Sequence, residues 1–345
     1  MKLSVVILNW NGEDMLRRFL PSVVEHSAME DVEICVADNN STDNSCKVVE
    51  EEFPGVRLIH LDQNYGFAEG YNKALKQVKA EYYVLLNSDV EVTDGWIDPI
   101  LEYMDSHKDV AACQPKILNY QHREYFDYAG AAGGYVDRYG YPYCRGRILD
   151  KVEKDTGQYD TIASVFWVSG AAMFIRSSCY HKMGGLDGRF FAHMEEIDLC
   201  WRLQWHKYKL VCIPQSKVYH VGGATLKQGN PRKTFLNFRN NLIMLYKNLP
   251  DGECKKAMRK RRYLDNIAMI VFALKFDFQN ARAVRKARSE FKQMKPDFIR
   301  ARIETNRMNF SNEEPKLSSF SIVIQSKLLQ RKLFSKLNKK FFITK

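Results

Sequence analysis

Three groups of residues in this sequence carry side chains that could do chemistry. The first is Asn87-Ser88-Asp89, which ends the apolar run Tyr82-Tyr83-Val84-Leu85-Leu86. An unbroken apolar run of that length reads as a buried parallel strand. In open α/β sheets ligands bind beyond the carboxyl ends of the strands. A carboxylate there could hold a divalent cation against an anionic ligand such as a diphosphate. The structural alternative is an aspartate that opens a turn, or that caps the helix suggested by Thr93-Asp94-Gly95-Trp96. The second group is Glu195-Glu196. Read as a helix from Glu195, the segment places Glu196, Leu199, Cys200 and Leu203 on one face at i, i+3, i+4 and i+7. Glu196 then heads an apolar stripe, and a partly buried carboxylate can serve as a general base. Glu195, Asp198 and Arg202 fall on a neighbouring face, where an i, i+4 ion pair suffices for Asp198 and Arg202. The alternative for Glu196 is a first-turn glutamate favoured by the helix dipole. The third is His220, followed by Gly222-Gly223. It is either a hydrogen-bonded structural histidine or a second metal ligand beside Asp89. One carboxylate with one imidazole suits Mn²⁺ somewhat better than Mg²⁺.

These groups need elements to position them. Strand signals at residues 3–8, 32–37, 56–61 and 82–86 alternate with helix signals at 13–26, 42–53 (Ser41 as cap), 67–79 and 94–107, and a further strand lies near 110–114. That rhythm predicts a mostly parallel, Rossmann-like α/β sheet with helices on both faces. Its logic brings three strand ends to one rim: Asn9-Trp10-Asn11-Gly12, Asp38-Asn39-Asn40-Ser41-Thr42-Asp43, and Asn87-Ser88-Asp89. Asp38 could accept a hydrogen bond from a base N–H, and Asp43 offsets a helix dipole. Asn64-Tyr65-Gly66-Phe67-Ala68-Glu69-Gly70-Tyr71-Asn72 follows the third strand, and its small residues would let backbone approach a ligand. It is neither a Walker loop nor a dinucleotide fingerprint. Residues 119–160 lose the rhythm and are rich in tyrosine and glycine. They read as a loop layer lining the cleft or as a variable insertion. A strand signal returns at 208–213. Beyond Pro231 the chain is helical and basic, over 235–249 and 254–295. The expected organisation is a catalytic domain at 1–230, a helical extension at 231–310 and a basic tail at 311–345. In that tail Leu328, Leu329, Leu333, Phe334 and Leu337 recur at helical spacing between cations. This is the pattern of a basic amphipathic helix on an anionic membrane, a docked surface helix or a disordered segment.

Composition sets the outer limits. The chain has 345 residues, 45% hydrophobic and 27% charged, with a net charge of +11. Such a balance suits an acidic small substrate, an anionic membrane surface or nucleic acid. No nucleic-acid motif accompanies it, which argues against the last. The eight cysteines show no C-x-x-C pair and read as reduced core residues of a cytoplasmic protein. The first residues run straight into a strand signal, with no cleavage pattern. No apolar run approaches the roughly 18 residues that a spanning helix needs. The expectation is a protein that is soluble or peripheral at the inner face of the plasma membrane.

Taken in order, the motifs S-V-V-I-L-N-W-N-G, V-A-D-N-N-S-T-D, N-Y-G-F-A-E-G-Y-N, L-L-N-S-D-V, V-S-G-A-A-M, G-G-L-D-G-R-F-F, M-E-E-I-D-L-C-W-R and V-Y-H-V-G-G resemble the family 2 glycosyltransferases of the GT-A fold. The likeness is nearest to the bacterial rhamnosyl- and galactofuranosyl-transferases of surface-polysaccharide assembly, and it covers roughly residues 2–250. The resemblance implies an inverting, metal-dependent enzyme that moves a sugar from a UDP- or dTDP-sugar to a glycan hydroxyl. The acceptor implied is a glycan on a polyprenyl diphosphate carrier. Asp38 would bind the donor's base. Asn9, Asn11, Asn40, Asn64, Gly66, Gly70, Asn72, Asn87 and Ser88 would form the rest of the nucleotide-sugar site. Asp89 would bind Mn²⁺ or Mg²⁺ with His220, and Trp167 and Gly170 would meet the acceptor. Glu195-Glu196 occupies the place of the family's Glu-Asp pair, whose second member is the catalytic base. Two departures stand out: Asn87 replaces the first aspartate of the D-x-D motif, and Glu196 is one methylene longer than the usual base. They favour the competing expectation, a non-catalytic nucleotide-sugar or glycan-binding module on the same scaffold.

Overall fold

The fold is that of a computed structural model, described over residues 1–222, 229–311 and 315–337. Its first half alternates strand and helix. In order come β1 (Leu3–Asn9), α1 (Glu13–His26), β2 (Val32–Asp38), α2 (Ser45–Glu52), β3 (Arg57–His60), α3 (Gly66–Leu75), β4 (Tyr82–Asn87), β5 (Val90–Val92), α4 (Asp98–Ser106) and β6 (Val110–Asn119). Four short strands follow: β7 (Gly134–Val136), β8 (Pro142–Cys144), β9 (Arg147–Ile148) and β10 (Lys151–Val152). Next are β11 (Ala163–Ser164), β12 (Ala172–Arg176), α5 (Ser177–Lys182), α6 (Glu195–Trp205) and β13 (Lys209–His220). The helices α7 (Pro231–Asn248), α8 (Asp251–Leu274), α9 (Phe278–Met294) and α10 (Ile299–Ser311) follow.

The nine-stranded sheet runs β11-β13-β6-β12-β4-β1-β2-β3, with β5 paired to β13. Strands β4, β1, β2 and β3 are mutually parallel. Strand β12 enters antiparallel between β4 and β6, so the sheet is mixed where a mostly parallel one was expected. A strand that follows a long loop layer, with no crossover helix, is free of the parallel βαβ constraint. Both faces are covered. Along β1, Leu3, Val5 and Ile7 join one core and Val6 the other. Along β4, Tyr82, Val84 and Leu86 alternate with Tyr83 and Leu85 in the same way. This period-2 alternation, apolar on both sides, is why these runs read as unbroken hydrophobic stretches. Helix α1 buries Leu16, Phe19, Leu20 and Val23, an i, i+3, i+4, i+7 stripe.

Three expectations are corrected here. Residues 119–160 are not a structureless layer, because β7–β10 form a small antiparallel sheet. Helix α2 starts at Ser45 rather than near Thr42. Asp43 accepts from Ser45 N, while Ser41 Oγ instead accepts from Asn11 N at 2.8 Å. The tail over 315–337 is not the continuous amphipathic helix expected: it holds one short π-helical turn, Ile324–Leu328, and of the residues at helical spacing Leu328, Leu329 and Leu333 are exposed. Phe320, Ile322 and Leu337 are buried in a cluster with Tyr143 and Ile148, and Phe334 stacks on Tyr135. The segment straps the small sheet onto the body, and residues 338–345 lie outside the described residues. All eight cysteines are free thiols. Among the described residues no helix is long and apolar enough to cross a membrane.

Candidate active site

Strand register assembles the first wall of the site. Asn9 pairs with Asp38, and Leu8 pairs with Asn87, so β1, β2 and β4 end level with one another. Beyond those ends opens a cleft of about 980 Å³. Asn9, Asn64, Gly66, Asn87, Ser88 and Asp89 line it. Trp167, Gly170, Glu195, Glu196 and His220, from the later half of the chain, line the same cleft.

Asp89 sits between β4 and β5, not at a helix N-terminus, since α4 starts only at Asp98. Strand β5 pairs antiparallel with β13, which sets Val90 opposite His220. Asp89 Oδ1 lies 3.1 Å from His220 Nε2, and His220 Nδ1 lies 2.9 Å from Asp127 Oδ1. All three side chains are buried. Burial opposes a charge on His220, but the two flanking carboxylates override it and hold its pKa well above the ordinary value. Burial likewise opposes charge on Asp89, and the His220 charge beside it still holds its pKa below the usual value. Asn87 Nδ2 stands 3.4 Å from His220 Nε2. A carboxylate that orients a histidine through its far nitrogen is the common outer partner of a metal-bound imidazole. Asp127 was not picked out in the sequence; it lies in the irregular stretch after β6, and only tertiary contact brings it to His220.

The Glu195-Glu196 pair opens α6, as expected, but the two exchange depth. Glu195 is buried and Glu196 is only partly so, whereas the helical stripe made Glu196 the inward residue. Oε2 of each finds no hydrogen-bond partner among the described residues, nor does His193 Nε2. Burial pushes the Glu196 carboxyl up to about 7. Burial, then the neighbouring Glu196, drives Glu195 well above the usual carboxylate range. Burial therefore disfavours charge on both acids, and the Glu196 carboxyl can exchange a proton near neutral pH. Asp198 pairs with Arg202 at 2.9 Å as expected, but it is fully buried and also accepts from Lys247 and Asn248 of α7, each at 2.8 Å.

Other expected site residues separate by position. Asp38 does not line the cleft; it accepts from Ser41 N at 2.9 Å and from Asn9 Nδ2 at 3.3 Å. Its neighbour Asn39 lines the cleft instead and bridges to Asn64 Oδ1 at 3.1 Å. Asp38, Cys46 and His60 can bring one ligand atom each within 4.8 Å, a second cluster apart from Asp89. Asn11 and Asn40 are exposed with positive φ and do not line the cleft. Gly70 and Asn72 are corrections. Gly70 lets α3 approach β1, since a Cβ there would meet Leu8 Cδ2 at 2.9 Å. Asn72 spends its amide on Glu69, Tyr180 and both backbone groups of Leu186. Trp167 donates through Nε1 to Tyr135 O at 3.0 Å, and its ring lies over Gly134, where a Cβ would sit 1.9 Å away. Cleft cations that sequence reading did not single out are Arg147, Arg232, Lys233, Arg261 and Lys327. They come from the small sheet, α7, α8 and the strap, so no local pattern announces them.

The family model of Glycosyl transferase family 2 matches residues 4–179. An N-acetylglucosaminyl-diphospho-decaprenol L-rhamnosyltransferase of Mycobacterium tuberculosis is 25% identical over 233 residues, 63% of this chain and 75% of that protein. Rhamnosyltransferase WbbL of Escherichia coli is 25% identical over 223 residues, 63% of this chain and 82% of its own. Among solved structures, GalNAc-T7 with UDP, GalNAc and Mn²⁺ aligns with a TM-score of 0.60 at 16% identity, over 88% of this chain and 57% of that one. Staphylococcus aureus TarS 1–349 with UDP-GlcNAc aligns at 0.57 and 14% identity, over 97% and 93%. Those two likenesses support the fold, a GT-A arrangement with a helical C-terminal region. With the family model spanning half of the sequence, the chain belongs to glycosyl transferase family 2 and is a glycosyltransferase.

Proposed function

We propose that the protein is an inverting transferase that moves a sugar, rhamnose-like by kinship, from a UDP- or dTDP-sugar to a hydroxyl of a polyprenyl-linked glycan in surface-polysaccharide assembly. The observation that carries this reading is the meeting in one cleft of the Asp89–His220 pair with Glu196, whose carboxyl burial holds at about 7. The proton on His220 Nε2 must leave for a cation to bind there; deprotonated, His220 Nε2 and Asp89 Oδ1, 3.1 Å apart, are a buried nitrogen–oxygen donor set with Asp127 fixing the ring, so these residues fit a divalent cation, Mn²⁺ or Mg²⁺. Such a cation, when bound, neutralises charge on a departing diphosphate. Asn9, Asn39 and Asn64 supply amides to the donor, and Arg147, Arg232 and Lys233 surround its negative charge. Glu196 takes the proton of the acceptor hydroxyl. That oxygen forms a bond to the anomeric carbon as the bond to the diphosphate breaks on the opposite face, which inverts the centre. Glu195, kept neutral, adds no second negative charge near the incoming oxygen. The kinship to the M. tuberculosis decaprenol-linked enzyme supports the lipid-linked acceptor.

A thermal-shift panel of UDP-, dTDP- and GDP-sugars with and without Mn²⁺ tests this. A native-state ligand adds about 2.7 kcal/mol at a hundredfold excess over Kd. The expected result is a shift for a UDP- or dTDP-sugar that needs Mn²⁺, disappears in Asp89→Ala and weakens in Asp127→Asn. A donor shift indifferent to Mn²⁺ and to Asp89→Ala refutes the metal site. Donor binding without turnover, in the presence of acceptor, refutes the enzyme reading in favour of a binding module.

A further inference from the structure

The geometry points to the α8–α9 hairpin as a docking surface for an anionic lipid bilayer. The basic tail was the membrane candidate in the sequence; of the residues that suggested it, Leu337 and Phe334 pack against the small sheet, while Leu328, Leu329 and Leu333 stay exposed beside it as a short irregular patch. The second half of α8 offers a longer and regular exposed face. Tyr263, Ile267, Ile270, Val271 and Leu274 recur at i, i+4, i+7, i+8 and i+11 and share one helical face. That face is turned outward: Tyr263 is 67% exposed and Leu274 74%. At the hairpin turn Phe276 is 83% exposed and packs edge-to-face on exposed Phe278. An apolar stripe of this extent, unpartnered among the described residues, marks an interaction surface.

Charge identifies the occupant. Between Cys254 and Ser289 the chain has eleven lysines and arginines against two aspartates. Asp265 is buried between Arg261 and Arg288, and Asp277 caps α9 by accepting from Asn280 N. Within that stretch the hairpin shows cations and apolar groups with no free acid; just outside it Glu253 pairs with Lys256 at 2.9 Å and Glu290 with Arg239 at 2.6 Å. Lys256, Arg259 and Lys260 lie on the outward face one to two turns before the apolar stripe, and Lys275 and Arg282 flank the turn. Apolar side chains at the tip with cations set back along the helix match an acyl boundary beneath anionic headgroups. A second copy of the chain fits worse, because equally basic flanks would meet.

The surface also leads to the chemistry. A groove of about 620 Å³ runs between α7 and α9, past Gln279, Arg282 and Lys286. Phe191 and Arg232 line both this groove and the catalytic cleft. A hairpin seated on lipid would set that basic groove at headgroup level, where a lipid-linked phosphate could pass to the cleft. Docking itself does not depend on the donor or on the metal.

Co-sedimentation of the full chain with phosphatidylglycerol-containing vesicles, against pure phosphatidylcholine vesicles, tests it. Wild type is expected to bind the anionic vesicles, and Leu274→Asp/Phe276→Asp to lose at least about tenfold in partitioning. Both residues are exposed, so the variant keeps its melting temperature and its UDP thermal shift, which separates this test from that of the transfer reaction. Leu328→Asp/Leu329→Asp in the strap is expected to bind like wild type. Undiminished binding by the hairpin variant, or loss in the strap variant alone, overturns the proposal. So does a wild type that ignores anionic vesicles while sedimenting as a dimer that the hairpin variant dissociates.

Discussion

At the scale of single residues, the cleft separates two kinds of acid. Asp89 is held charged by His220, while Glu196 Oε2 has no hydrogen-bond partner among the described residues and burial raises the carboxyl's pKa to about 7. A base must be ionised to take a proton. With the pKa raised, Glu196 in its proposed role is protonated and idle below about 7 and competent above it. The rate kcat/KM should therefore climb with pH, about tenfold per unit below 7, and level off above. Glu196→Gln should lose roughly 10²–10⁴-fold in kcat and flatten that limb. Glu195→Gln, which mimics an acid already neutral, should keep most of the rate. Steady-state kinetics of the three proteins across pH 5.5–9 (a range of about 1.5 units or more either side of the expected midpoint) decides the matter. Equal damage from both glutamines would remove the distinction between the two acids.

At the scale of elements, the placing of Glu195 and Glu196 depends on how α7 holds the loop before α6. Phe191, His193 and Met194 all have positive φ, and Met194 is in the left-handed helical region. Non-glycine residues adopt such backbone at a cost of about 1–3 kcal/mol each, and only surrounding contacts maintain it. Asn240, fully buried on α7, places its amide nitrogen 2.9 Å from Phe190 O and 2.8 Å from both Ala192 O and His193 O. With two hydrogens for three carbonyls, one N–H is shared. Asn240→Asp has the same shape but turns the donor into an acceptor. It should lower kcat at least about tenfold with a smaller change in donor KM, because the loop that loses its donor leads directly into the proposed base, Glu196. Kinetics with a full thermal-melt control checks it, and an unchanged kcat at normal stability would show the clamp to be dispensable. The sequence signalled this loop, through G-G-L-D-G-R-F-F, but not its clamp. Nothing local marks Asn240 among the several asparagines of its helix.

At the scale of the whole molecule, the later helices and the strap are part of the body. Leu242, Ile243, Met244 and Leu245 of α7 belong to the same core as Tyr83 and Leu85 of β4. The strap buries Phe320, Ile322 and Leu337, each worth about 1.5–3 kcal/mol by transfer. Removing residues 315–345 should lower the melting temperature by on the order of 5 °C or more, and circular dichroism of the truncated chain measures it. It should leave vesicle binding in place, since the exposed apolar face lies on α8. An unaltered melt would mean that the strap rests on the body without stabilising it. The net charge of +11 finds its place at this scale too: part of it surrounds the cleft, and part lies on the α8–α9 hairpin.

The sequence by itself determined the alternating half of the fold. Period-2 apolar runs and period-3.6 stripes are local properties, and β1, α1, β2 and β4 fall within a residue or so of where those patterns set them. It also named Asp89, Glu195, Glu196 and His220, because strand ends and a helix start can be read from neighbours along the chain. Only the tertiary structure decided which atoms meet. Asp127 reaches His220 across 93 positions, β12 enters the sheet against the parallel grain, and Glu195 rather than Glu196 takes the deeper site. Strap and hairpin both carry apolar residues among cations, and they differ in how these are arranged: Phe320, Ile322 and Leu337 of the strap are covered by the small sheet, whereas the apolar face of α8 from Tyr263 to Leu274 is exposed along its length. That is a matter of long-range packing, on which local spacing is silent.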